Sequence, residues 1–151
     1  MPPHENDPRF SFSAHGGFRK ASDASPNYNC VAWAAGLDNR WWWPDPYGMY
    51  FWPTGIPRLP DRESFVKAFG SLGYSVCERE VLEEGVEKVV LYESGGKVKH
   101  AARQIVSGPF RGLWTSKLGG GIDIVHSLRG VCGTLYGTVS VILQRAVKQG
   151  N

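Results

Sequence analysis

Between Trp41 and Pro53 the chain reads Trp-Trp-Trp-Pro-Asp-Pro-Tyr-Gly-Met-Tyr-Phe-Trp-Pro, and no other stretch restricts the fold so strongly. Its prolines forbid a regular helix, because proline lacks the N–H that a helix needs and clashes with the preceding turn. Its rings are too many to lie open to water. The segment must therefore be an irregular excursion that packs its aromatics. Five of the six tryptophans fall between Trp33 and Trp52. They serve either a loop-rich core or the walls of a substrate groove, in which Trp33, Trp43, Trp52 and, from further along, Trp114 are the candidate binding residues.

Ten prolines and nineteen glycines carry the same message to the rest of the 151 residues: many turns, short elements. Residues 1 to 25 are polar and read as an irregular arm, followed by a single domain over 26–147. A short helix is expected over 29–37, with Asn27 or Asn29 at its start and Gly36 at its end. A second begins at Asp61, where Phe65, Val66, Phe69 and Leu72 share a face and Gly73 ends the run. Strands follow at 74–78, 87–92 and 97–106, the last two joined by a turn at Glu93-Ser94-Gly95-Gly96. The stretch around Trp114–Leu118 reads as another strand, 122–128 as a turn of helix, and 136–143 as a final strand. Early helices and a late antiparallel sheet predict an α+β fold.

Within this plan one cysteine stands apart. Cys30 follows Asn27-Tyr28-Asn29 and opens the small-residue run Val31-Ala32-Trp33-Ala34-Ala35-Gly36. A thiol at a helix start lies among unpaired N–H groups and at the positive end of the helix dipole, which favours the thiolate. Asn27, Asn29 and the Cys30 N–H are candidate donors to a developing oxyanion. Cys77 falls mid-strand and Cys132 in a glycine-rich region, so both read as structural. His4 and His15 belong to the polar arm, and His126 reads as surface or supporting. His100, at the start of a strand, is the candidate base that would take the Cys30 proton and return it to the leaving group. A third group should orient its ring, and Asp123 and Ser116 are equal candidates. Gln104 shares its face but lies further along the strand.

Other chemistries find no support. Three scattered cysteines make neither a disulfide framework nor a metal-ligand spacing, so no metal or organic cofactor is expected. A net charge of +3 without a basic aromatic stripe argues against nucleic acid. The N-terminal residues have no signal-peptide core and no apolar run is long enough to span a bilayer. A cytoplasmic setting is expected, although export by a dedicated machine would leave no mark.

The motifs Asn27-Tyr28-Asn29-Cys30-Val31-Ala32-Trp33-Ala34, His100-Ala101-Ala102-Arg103-Gln104 and Trp114-Thr115-Ser116-Lys117-Leu118-Gly119 resemble an uncharacterised bacterial family, a domain of unknown function. More distantly, the order Cys, His, then a polar residue on the next strand resembles the papain-like superfamily, including NlpC-type peptidases and amidases. That resemblance implies a papain-like α+β fold, with a cysteine-bearing N-terminal helix packed on a C-terminal antiparallel sheet. It also implies a nucleophile at Cys30, a base at His100 and a thioester intermediate. The spacing is shorter than papain's, and no Cys-Gly-Ser-Cys-Trp signature surrounds Cys30. The expected function is a cysteine-dependent hydrolase cleaving an amide in a peptide or protein, or a deamidase or acyltransferase on the same site. The alternative is a catalytically silent binding or immunity-type module that meets a partner protein through the aromatic 41–52 surface.

Overall fold

A computed structural model describes residues 3–22, 28–36, 40–118 and 121–147. Its centre is one seven-stranded antiparallel sheet, with spatial order β1-β6-β5-β4-β3-β7-β2. The strands are β1 (Phe18–Ser22), β2 (Ser75–Cys77), β3 (Val86–Ser94), β4 (Lys97–Gln104), β5 (Trp114–Lys117), β6 (Asp123–His126) and β7 (Thr138–Ala146). Two short helices accompany it, α1 (Cys30–Ala34) and α2 (Arg62–Gly70). The papain-like α+β expectation is therefore wrong. The molecule is mostly sheet, and the cysteine-bearing element is a five-residue turn of helix rather than a helical layer.

Local chemistry explains the helices. Asp61 caps α2 by accepting the Ser64 N–H at 2.8 Å, and Phe65 and Phe69 then recur four apart on the buried face. Asn29 caps α1 by accepting the Ala32 N–H at 3.1 Å. The β3–β4 hairpin turns at Gly95-Gly96, and a register shift beside Tyr92 and Glu93 leaves Tyr92 opposite His100.

Both faces of the sheet are covered, which is why so many strand residues are buried. On one face α1, α2 and the aromatic excursion pack with Val89, Leu91, Ala101 and Leu143. On the other, Phe10, Phe12, Leu128, Val131 and Tyr136 close over Val90, Tyr92, Ala102, Trp114 and Ile124. Two expectations are corrected here. The segment read as an irregular arm contributes strand β1 and the buried rings of Phe10 and Phe12. Residues 123–126, read as a turn of helix, are strand β6, paired to both β1 and β5.

The aromatic excursion is irregular, as expected, but only partly packed: Trp42 and Trp52 are buried, whereas Tyr47, Met49, Tyr50 and Phe51 are exposed. Trp42 and Phe51 bridge in parallel, the Asp45 carboxylate accepts the Met49 and Tyr50 N–H groups, and Trp52 stacks edge-on against Phe65. Gly137 and Gly133 exchange two backbone hydrogen bonds and so set Tyr136 over the second face. At Gly137 φ is +80°, and a Cβ there would run into the Glu93 carbonyl oxygen, so only glycine suits this approach. Among the described residues no helix is long and apolar enough to cross a membrane.

Candidate active site

Cys30 begins α1 and is 7% exposed, within the core of the α1 face. The ladder between β4 and β5 ends at Arg103↔Thr115, so the first half of β4 has no strand neighbour on that side. The Cys30 sulfur lies against the Ala101 N–H, which belongs to the peptide joining His100 to Ala101. In the outward direction, Cys30 and Asn29 form the floor of a pocket of about 310 Å³ walled by Trp41, Trp43 and Tyr50. Burial pushes the thiol up to about 11, although the Ala101, Val31 and Cys30 N–H groups and the Lys117 ammonium all pull it down. The expectation of a thiolate is thus corrected. One turn of helix supplies too small a field to offset desolvation.

Asn29 works as a bracket. Its Oδ1 accepts both the Ala32 N–H and the Trp42 N–H, at 3.1 and 3.0 Å, while Nδ2 donates to the Trp42 carbonyl at 2.7 Å. The amide thereby holds the helix that carries Cys30 against the wall of the pocket.

His100 is wholly buried and its ring belongs to the opposite face, among Tyr92 and Tyr136. Tyr136 lies flat on the imidazole, with centroids 3.9 Å apart and planes 2° from parallel. His100 Nε2 is 2.9 Å from Ser116 Oγ, and that oxygen is 2.5 Å from His126 Nε2. His100 Nδ1 has no hydrogen-bond partner, so the thiol and the imidazole are not bonded to one another. They remain neighbours through the Ala101 peptide, and the Tyr136 phenol, raised chiefly by burial, is raised further by Cys30. Burial holds His100 well below the ordinary histidine range and brings His126 down to about 4, so both rings are neutral near pH 7.

A family model described as Domain of unknown function (DUF7689) matches residues 19–144. The chain belongs to that family. No curated protein and no solved structure matches the chain.

In this DUF7689 domain the residues expected at a site fall into three groups. Ser116 meets His100, whereas Asp123, one register position beyond it, faces the other way and accepts the Tyr28 hydroxyl at 2.7 Å. Of the four tryptophans expected to bind substrate, Trp43 alone lines the pocket at Cys30. Trp33 donates to Thr115 Oγ1 beneath Arg103, Trp52 is core, and Trp114 is buried on the His100 face. Asn27 lies outside the described residues. Sequence reasoning missed Tyr136, left His126 as surface or supporting, and named Trp41 and Tyr50 only as part of the aromatic segment. His126 carried one available signal, since Asp123-Ile124-Val125-His126 puts it two residues from Ile124 and hence on the same strand face. Among the described residues no three His, Cys, Asp or Glu side chains gather as metal ligands.

Proposed function

We propose that this DUF7689 domain is a cysteine-dependent hydrolase that cleaves an amide carrying an apolar or aromatic acyl group. The observation that carries the reading is Cys30 at the floor of an aromatic pocket, one peptide bond from a histidine whose Nδ1 is bare. Among the described residues the pocket lining is aromatic and uncharged, which favours an uncharged acyl group over an ionic one.

The resting pair is a neutral thiol and a neutral imidazole, so attack must be assisted by a general base. His100 Nδ1 and the Cys30 sulfur must first close on one another past the end of the β4–β5 ladder, and as the sulfur then bonds to the carbonyl carbon its proton passes to Nδ1. The tetrahedral intermediate collapses, the amine leaves with that proton, and a thioester remains on Cys30. Water then attacks the thioester, giving a proton to Nδ1, and the returning thiol recovers it as the acid departs. The Cys30 N–H and the second Nδ2 hydrogen of Asn29 are the candidate donors to the developing oxyanion. An amine in place of water would make the same site an acyltransferase.

The test is incubation with a p-nitrophenyl ester of an aromatic acid. The expected result is a burst of nitrophenol equal to the enzyme present and a mass increase of one acyl group on Cys30, absent in Cys30→Ala and slowed in His100→Ala. A wild-type protein that gains no acyl group overturns the reading.

A second reading is favoured by one observation, the strongly raised thiol. On it the pocket is a non-catalytic aromatic binding site for a partner protein, on the same aromatic segment as Tyr47, which is 86% exposed. Saturable binding of an aromatic amide by wild type and Cys30→Ala alike, with no turnover, is the result expected of that module.

A further inference from the structure

His126 lies outside the pocket and hydrogen-bonds to neither Cys30 nor His100, yet its hydrogen bonds dictate the proton positions around it. Its Nδ1 is 2.6 Å from the Ser127 carbonyl oxygen. A carbonyl only accepts, so Nδ1 carries the proton. In the neutral ring Nε2 is then an acceptor, and the Ser116 hydroxyl, 2.5 Å away, must donate to it. With its only hydrogen spent, Ser116 Oγ can only accept from His100 Nε2 at 2.9 Å. His100 therefore carries its proton on Nε2, and its lone pair is on Nδ1.

We infer that His126 and Ser116 form a relay of donors that sets the tautomer of His100, making Nδ1 the sole basic nitrogen. His126 is a positioning residue acting through Ser116. Three features keep the relay one-directional. The Ser127 carbonyl anchors its far end, and both histidines and Ser116 are excluded from water. Burial keeps His126 from the cationic form that would reverse the order. Tyr136 stacked on the ring hinders its rotation out of this plane, which keeps Nε2 against Ser116. The nitrogen left bare is also the one without a partner, which is where a base for the Cys30 thiol has to offer its lone pair. That last consequence rests on the proposed role of His100; the tautomer does not.

Long-range proton–nitrogen correlation spectra of the ¹⁵N-histidine-labelled protein near pH 7 test the relay, with His100→Gln and His126→Gln assigning the signals. The expected spectrum has His100 protonated at Nε2 and His126 protonated at Nδ1. Either ring in the opposite tautomer overturns the inference. In His126→Phe the Ser116 hydroxyl is released to donate to His100 Nε2, and His100 should shift toward the Nδ1-protonated form. His126→Gln supplies an amide oxygen for Ser116 and should restore the wild-type form. An unchanged His100 tautomer in a folded His126→Phe protein also overturns it. In the acylation assay the Phe variant should lose at least about a hundredfold in rate, since a catalytic histidine held in the wrong tautomer costs as much as ~10⁴, and Gln should recover most of it. If no form of the protein is acylated while the expected tautomers are seen, the relay stands and only the catalytic reading falls.

Discussion

On the α1 face of the sheet, Cys30 meets an open aromatic pocket and shares its surroundings with the charged pair Lys117 and Asp123. On the opposite face, His100 is sealed with Ser116 and His126 beneath Tyr136, and the groups bonded to it are neutral. The two halves of the proposed site thus belong to different cores, and they meet where the β4–β5 ladder stops and the Ala101 N–H is left to the thiol. The lesson is that desolvation acts on both halves in the same sense. It keeps the acid protonated and the base unprotonated, so reactivity has to come from proton transfer during attack rather than from a standing ion pair.

The strongest way to break this comparison is to unseal one face. Gly137→Ala drives a Cβ against the Glu93 carbonyl at a φ of +80° and should cost about 4 kcal/mol or more, read from urea unfolding. Gly48 in the pocket loop has a φ of +69° but open space around it, so Gly48→Ala should cost only about 1 kcal/mol. Equal losses at the two positions would mean that the hairpin carrying Tyr136 is no tighter than the pocket loop.

Next in size are the opposite pH limits of the two faces. His126 has its folded-state value lowered from 6.5 to about 4, so the unfolded chain binds the extra proton first as pH falls. Stability contributed by its burial as a neutral ring is present above pH 6.5 and is lost between 6.5 and 4, on the order of 3 kcal/mol at 1.36 kcal/mol per unit. Cys30 behaves in the reverse sense. Its folded value is raised from 9.0 to about 11, so stability is full below pH 9 and falls by roughly 2–3 kcal/mol as pH climbs to 11. Denaturation midpoints across pH should show His126→Gln making the acid limb shallower, with the remainder due to His100, and Cys30→Ala making the alkaline limb shallower, each without effect on the other limb. Variants that each flatten both limbs would show that the two cores do not titrate separately.

The same raised thiol sharpens the comparison by chemistry. A two-unit rise leaves about a hundredfold less thiolate at pH 8 than an ordinary cysteine has. Iodoacetamide should therefore label the half-buried Cys77 well before Cys30, despite the helix start. Peptide mapping that finds Cys30 first would restore the thiolate that the sequence suggested.

Much of the local structure was legible because short-range chemistry dictates it. The Asp61 cap, the Phe65 and Phe69 spacing and the Gly95-Gly96 turn each announce themselves within a few residues. The β6 strand did not. All four of its residues are buried, so the alternation that marks a half-exposed strand is missing. Its polar ends, Asp123 and His126, are satisfied by Tyr28 and Ser116, partners distant in sequence. The papain-like expectation failed for a related reason. A cysteine at a helix start and a histidine on a strand describe a constellation of side chains, and such constellations arise on unrelated scaffolds. Cys30 and His100 were legible as a pair, but the face on which each lies depends on register shifts that residue types do not encode.

Asn29 yields the smallest expected effect, and it tests the boundary between the faces and the pocket. Its side chain performs two tasks, capping α1 at Ala32 and bracketing both backbone groups of Trp42. Serine retains the cap but is too short to bridge to both groups of Trp42, whereas alanine retains neither. Asn29→Ser should therefore lose about 1 kcal/mol, and Asn29→Ala about 1 kcal/mol more, by urea unfolding. The more telling readout is the pocket. Because Trp42 sits between two pocket walls, Trp41 and Trp43, releasing it should weaken binding of an aromatic probe in both variants. The buried relay on the other face should keep its tautomers. Probe binding unaffected in Asn29→Ser would mean that Asp45 and the Trp42–Phe51 bridge hold the pocket without help from the helix that carries Cys30.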